Sequence, residues 1–266
     1  MDKTVPAGAA ILLDFIRKTE VGRVDRASYD VIYGHNQNKL HKPITAMTIG
    51  ELVDAQVSFT RLYKSSASGG YQFMRATLQD LSRELGLSGR QVFDPDLQDR
   101  LGFHLLKRRG YDQFITGKIS VVEFARRLAM EWASLPVLGK TLGGGKDRNG
   151  RLLDLMVDRG QSYYAGDPLN KALVKPEAIE ALLKQVKAAG NTATGKAKPA
   201  PAIKPQSVAK SKRFWSWLTA AALPALGLLD WRTQMASVII GGGLAGYAIY
   251  SMPQIKAKIA KLIEAL

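Results

Sequence analysis

The chain has 266 residues, a formal net charge of +15 and no cysteine; 46% of its residues are hydrophobic and 8% aromatic. That composition excludes a disulfide-stapled mini-fold, a cysteine zinc site and a cysteine nucleophile, and the apolar content excludes a wholly disordered chain. The charge is uneven: residues 191–266 hold ten Lys/Arg against two Asp/Glu, and residues 1–190 carry the other +7. Such a balance suits an anionic partner (nucleic acid, anionic lipid or an acidic wall polymer) without choosing among them.

Composition divides the chain into three zones. Residues 1–190 read as a globular domain, residues 191–213 as an Ala/Lys/Pro-rich extended linker, and residues 214–266 as a strongly apolar tail with basic ends. No secretory signal opens the chain: the apolar run Ala9 to Leu13 is interrupted by Asp14 and preceded only by Lys3. The first zone is predicted to be α+β and mainly helical. Ile11, Leu12, Phe15 and Ile16 recur at helical spacing, giving a first helix that ends near Thr19 or Glu20. Tyr29 to Tyr33 is β-rich and reads as a small strand. Thr48 with Glu51 resembles a capping box for a helix through about Leu62. Lys64 to Tyr71 is a turn, Gln72 to Leu85 a helix capped by Gly86, and Asp94-Pro95 starts a helix running to Lys107. Further helices are expected over Ser120 to Ser134 and Pro176 to Ala189. Gly143-Gly144-Gly145 reads as a flexible loop.

Glu20 follows the apolar face of the first helix by one turn. A carboxyl there lies either at the border of the core, where lost hydration raises its pKa toward what a general acid needs, or in open solvent at a helix end. Ser68-Gly69-Gly70-Tyr71-Gln72 is a turn whose glycines permit close backbone approach, with a phenol and an amide able to hydrogen-bond a ligand; Tyr71 packed in the core is the other reading. Trp132 reads as core packing, with saccharide stacking the lesser option. Tyr163 and Tyr164, beside Gly166, either line a groove or tie down the last helix. His35, His41 and His104 lack metal-ligand spacing, and no phosphate loop or nucleophile-elbow motif is present.

The segments LLDFIRKTEVGR, YDVIYGH, SGGYQF, FDPDLQDRLGFHLLKRRG and WASLP occur in that order. Together they resemble the lambda endolysin-like family of the lysozyme superfamily over most of residues 9–136, and SYYAGDPLNKAL is similar to phage muramidases of the same group. The resemblance implies a mainly helical lysozyme-like domain that cleaves the β-1,4 bond between N-acetylmuramic acid and N-acetylglucosamine in bacterial peptidoglycan, without a cofactor or metal. It implies Glu20 as the catalytic acid and sets Tyr71 and Gln72 near the scissile bond; Ser68, Gly70, Tyr163 and Tyr164 are read from the residues themselves as further substrate contacts. Lambda-like members are lytic transglycosylases: one carboxyl serves as acid and then base, the sugar's own C6 hydroxyl attacks, and a 1,6-anhydro product forms. Ordinary glycoside hydrolysis needs two carboxylates. Asp25, in a variable loop, and Asp30, for which the resemblance implies a structural role, keep a water-using hydrolase open as the alternative; a non-catalytic wall-binding virion protein is a third reading. The family's Ser-Glu-Gly context is here Thr19-Glu20-Val21-Gly22, so the glycine is displaced by one position.

In the tail, Thr233 to Ile255 is a run of 23 uncharged residues, enough to cross a hydrocarbon core of about 30 Å. Gly242 and Gly246 form a GxxxG pair. Phe214 to Leu229 is a second uncharged run with Trp215 and Trp217, suited to a short span or an interfacial helix. Lys210, Lys212 and Arg213 precede the tail, and Lys256, Lys258 and Lys261 follow it. If both runs span, the positive-inside rule puts both flanks in the cytoplasm. The expected partners are peptidoglycan and, through the tail, the host inner membrane, with no specific nucleic acid. The expected location is the host inner membrane and periplasm, after synthesis in the host cytoplasm without an N-terminal signal peptide.

Overall fold

The computed structural model describes residues 1–147, 149–166 and 170–193. The linker beyond residue 193 and the apolar tail lie outside the described residues. Asn191 to Ala193, expected in the linker, instead continue the last helix. Among the described residues no helix is long and apolar enough to cross a membrane.

The first helix, α1 (Ala7–Val21), buries Ala9, Leu12, Leu13 and Ile16 on one stripe, as 3.6-residue periodicity requires. Gly22 ends it in the left-handed region at φ 76°, its N–H returning to the Lys18 carbonyl at 3.0 Å. A residue with a Cβ resists that conformation, so the displaced glycine is the helix C-cap, two residues past Glu20. The buried stripe packs along α7 (Pro176–Ala193) and on α4 (Pro95–Arg108).

The capping box forms: Glu51 N–H donates to Thr48 Oγ1 at 3.3 Å and Thr48 N–H to Glu51 Oε2 at 2.8 Å, opening α2 (Ile49–Tyr63). The next helix, α3 (Arg75–Glu84), starts later than expected. Gln72 is held at φ 52° in the preceding turn, and Phe73 exchanges both backbone hydrogen bonds with Ser68, so neither residue is free to enter the helix. Asp94 caps α4 through the Leu97 N–H at 2.7 Å. A short α5 (Tyr111–Ile115) and α6 (Val121–Ala129) follow. The latter stops before the expected Ser134 because the Trp132 indole is drawn away to the Tyr71 carbonyl, 3.2 Å distant.

The expected strand at Tyr29 to Tyr33 is corrected. Arg26–Asp30 winds into a 3-10 turn, and Ile32 alone makes a β-bridge, to Ser68, which in turn bridges Phe73. The described two-stranded ladder lies elsewhere: β1 (Thr141–Leu142) runs antiparallel to β2 (Met156–Val157), Thr141 opposite Val157. The glycine triplet after β1 is not a free loop, since Gly143 N–H bonds the Leu155 carbonyl and Gly144 N–H the Tyr163 carbonyl, both at 2.9 Å. Periodicity of two is invisible in strands of two residues.

Candidate active site

Glu20 stands on the last turn of α1, between buried Ile16 and Val21, so its carboxyl meets the surface at the edge of the core and is half-buried. Ser134 Oγ donates to Glu20 Oε1 at 2.5 Å. Among the described residues this is the hydrogen bond made to that carboxyl. Lost hydration outweighs it and raises the Glu20 carboxyl above its ordinary value of 4.5. A carboxyl whose proton persists to higher pH suits general-acid work.

The segment carrying Ser134 is itself pinned. Trp132 Nε1 bonds the Tyr71 carbonyl at 3.2 Å, Ser162 Oγ bonds the Ala133 carbonyl at 2.8 Å, and the Ser134 carbonyl accepts the Leu173 N–H at 2.7 Å. Trp132 is 4% exposed, a core side chain rather than a sugar platform.

The Ser68–Gln72 turn was expected to face a ligand, and most of it faces inward. Ser68 is fully buried, its hydroxyl donating to the Ser66 carbonyl at 2.9 Å and accepting from Gln56 Nε2 at 3.3 Å. Gly70 N–H donates to Gln98 Oε1 at 3.0 Å. A Cβ on Gly70 would lie 2.8 Å from Arg17 Cδ, so the close approach its lack of a side chain permits is to Arg17. Tyr71 is 1% exposed, its ring edge-on to Tyr29 and Phe73 and its hydroxyl donating to Asp99 Oδ1 at 2.5 Å. Burial, then the Asp99 charge, pushes that phenol far up. The polar atoms of Ser68, Gly70 and Tyr71, expected to contact substrate, are held within the fold: Gln56 of α2 and the Ser66 carbonyl meet Ser68, and Gln98 and Asp99 of α4 meet Gly70 and Tyr71. Gln72 differs. It is half-buried, donates from Nε2 to the Gly69 carbonyl at 2.8 Å, and lines a narrow crevice with Met74, Thr77, Glu131 and Trp132. Trp132, which lines the crevice with Gln72, and Ser134, which bonds Glu20, stand two residues apart.

Tyr163 and Tyr164 form a half-buried edge-on pair, centroids 5.1 Å apart. Tyr164 Oη donates to the Met130 carbonyl at 2.7 Å, so the pair braces the segment that leads to Ser134. Neither further carboxylate candidate bonds Glu20. Asp25 is exposed and paired with Arg23 at 2.5 Å, whose hydrogen bond holds it below the usual carboxylate range. Asp30 Oδ1 accepts the Thr45 N–H at 2.9 Å, joining two 3-10 turns.

Residues the sequence reading passed over matter as much. Asp99, wholly buried, accepts from Tyr29 Oη at 2.8 Å, Tyr71 Oη at 2.5 Å and Asp2 N–H at 2.7 Å. Arg17, 3% exposed, lies 4.3 Å over the Tyr29 ring. Gln98 and Asp99 stand beside Leu97 and Leu101 on the inner face of α4. Polar groups at core positions of a helix must find partners, and that is the signal that would have found them. Ser134 lay inside a quoted segment, with nothing in its spacing to set it apart.

A mainly helical frame holds Glu20, a half-buried acid at a helix end, with a neutral hydroxyl as its partner. The family model described as Endolysin matches residues 10–161, more than half of the chain, and the chain belongs to that family. It is thereby a phage cell-wall lytic enzyme whose substrate is peptidoglycan. The match takes in Glu20, the Ser68–Gln72 turn and Ser134. Searches of the curated proteins and of the solved structures each returned no match.

Proposed function

We propose that this chain is a lytic transglycosylase that cleaves the β-1,4 bond between N-acetylmuramic acid and N-acetylglucosamine with Glu20 as its only acid and base. The observation that carries this reading is the environment of the carboxyls. Glu20 is half-buried with a raised pKa and a neutral hydroxyl partner. Asp25 is tied to Arg23, and Asp30 to the Thr45 backbone. A hydrolase of the ordinary kind sets a second free carboxylate against the scissile bond to activate water or trap the sugar.

With one carboxyl the cycle closes as follows. Glu20 gives its proton to the glycosidic oxygen while the C1–O bond breaks. The carboxylate left behind takes the proton of the muramyl C6 hydroxyl, whose oxygen bonds C1. The products are a 1,6-anhydro muramyl end and a free N-acetylglucosamine end, and Glu20 is protonated again.

Mass spectrometry of fragments released from peptidoglycan sacculi tests this directly. Muramyl products one water lighter than reducing-end sugars are expected. Reducing-end products establish a hydrolase instead, and sedimentation with sacculi without release establishes a wall-binding protein. The apolar tail extends the proposal: it holds the enzyme at the host inner membrane until that membrane fails. A fusion carrying only residues 214–266 is expected in the membrane fraction, and a fully soluble fusion removes this part of the reading.

A further inference from the structure

We propose that Ser134 is a positioning residue for Glu20: its hydroxyl fixes Oε1 and leaves Oε2 as the oxygen that carries the proton to and from the substrate. The inference rests on the reading of Glu20 as the catalytic acid and adds which atom works and what holds it.

A glutamate at a helix end has three side-chain torsions, and a carboxyl that swings by an ångström no longer meets the bond it must protonate. Among the described residues, one group restrains it, the Ser134 hydroxyl at 2.5 Å. Ser134 is 9% exposed and belongs to a segment tied to Tyr71, Ser162 and Leu173 by three hydrogen bonds. The restraint is therefore built on a rigid support and not on a wandering loop.

The chemistry of the donor matters as much as its place. A guanidinium or ammonium in the same position would stabilise the carboxylate strongly and take away the acid. Arg17, one turn earlier on α1, bonds Asp14, and Arg23, three residues later, bonds Asp25. A neutral hydroxyl orients the group without neutralising its function.

One arrangement also serves both halves of the cycle. When Oε2 carries the proton, Oε1 is the carbonyl oxygen and accepts from Ser134. When the proton has gone to the leaving group, Oε1 is a carboxylate oxygen and still accepts from Ser134. Were the proton on Oε1, the hydroxyl would have to turn and become the acceptor at every turnover. The bond persists unchanged only if Oε2 does the transfer.

The test compares the full-length protein with Ser134→Ala, Ser134→Thr and Glu20→Gln on soluble, uncrosslinked glycan strands, reading kcat and KM separately, with thermal melts to confirm folding. Ser134→Ala is expected to lower kcat by roughly 10- to 100-fold and to leave KM within about twofold, because uniform binding is not touched. Ser134→Thr, which keeps the hydroxyl, is expected to recover most of kcat. If its added methyl prevents folding, Ser134→Cys, similar in shape and a weaker donor, must fall between alanine and wild type. A wild-type kcat for Ser134→Ala overturns the proposal, as does a loss that no variant with a donor recovers. Turnover that survives Glu20→Gln overturns the parent reading instead, so the two failures are separate.

Discussion

Two carboxyls on packed helices illustrate opposite uses of burial. Asp99 of α4 is wholly enclosed and receives two tyrosine hydroxyls and a backbone N–H, with the Arg17 guanidinium 3.8 Å away. Glu20 of α1 is half-enclosed and receives a single hydroxyl. Full burial and three hydrogen bonds make Asp99 a structural hub, since the groups around it would be orphaned without it. Incomplete saturation leaves the charged form of Glu20 poorly supported, so its proton is held longer. The S-G-G-Y-Q turn falls on the Asp99 side of that division. It closes the core beneath α1, and Tyr71 and Gln72 also line the surface crevice, Gln72 as the more exposed of the two.

The largest effect expected from this contrast is on turnover. Glu20→Gln keeps the shape and removes the proton, and should lower kcat by roughly 100- to 10,000-fold, the usual worth of a positioned acid–base group. Its melting temperature should not fall, because a neutral amide is easier to bury than a carboxylate. A variant that loses stability along with activity would break the comparison. Asp99→Ala should do the reverse. It strands two buried phenols and Arg17 and should cost about 3–5 kcal/mol in urea unfolding, with activity lost in proportion to the folded fraction. Tyr71→Phe is the milder version. Removing one donor from Asp99 should cost about 1–3 kcal/mol while kcat per folded molecule stays near wild type. A large kcat loss in a stable Tyr71→Phe protein would return that phenol to the active site.

Much of the frame was legible in the sequence because its signals are local. The 3.6-residue stripe of α1, the Thr48–Glu51 capping box and the Asp94-Pro95 start of α4 each depend on residues a few positions apart. The half-buried position of Glu20 is local in the same way: it stands one turn past an apolar stripe. What was not legible depends on distant partners. Whether Tyr71 faces solvent or Asp99 is decided by a residue 28 positions away, and whether Glu20 has a partner by one 114 positions away. The Tyr29–Tyr33 segment has the composition of a strand, yet Tyr29 is drawn to Asp99 and Arg17, and the chain winds into a 3-10 turn to reach them. Tertiary contacts override propensity at those points.

The smallest effect separates the two carboxyls by proton linkage. Glu20 has a folded-state pKa above 4.5, so between 4.5 and that raised value the folded protein holds a proton that the unfolded chain has released. Stability from this group is therefore fully present below 4.5 and is lost as pH rises through the folded value. Melting temperatures of wild type and Glu20→Gln, measured in parallel across the mildly acidic range, should converge at the acid end and separate as pH rises, with the glutamine variant the higher of the two. Neither Asp25 nor Glu123 can mimic this. Their ion pairs, with Arg23 and with Arg126 and Arg127, lower their pKa values, so their contribution moves in the opposite sense, lost as pH falls. A constant difference between the two proteins across the range would mean that Glu20 titrates as in open water. The acid proposed for cleavage would then lack the proton affinity its half-buried position gives it.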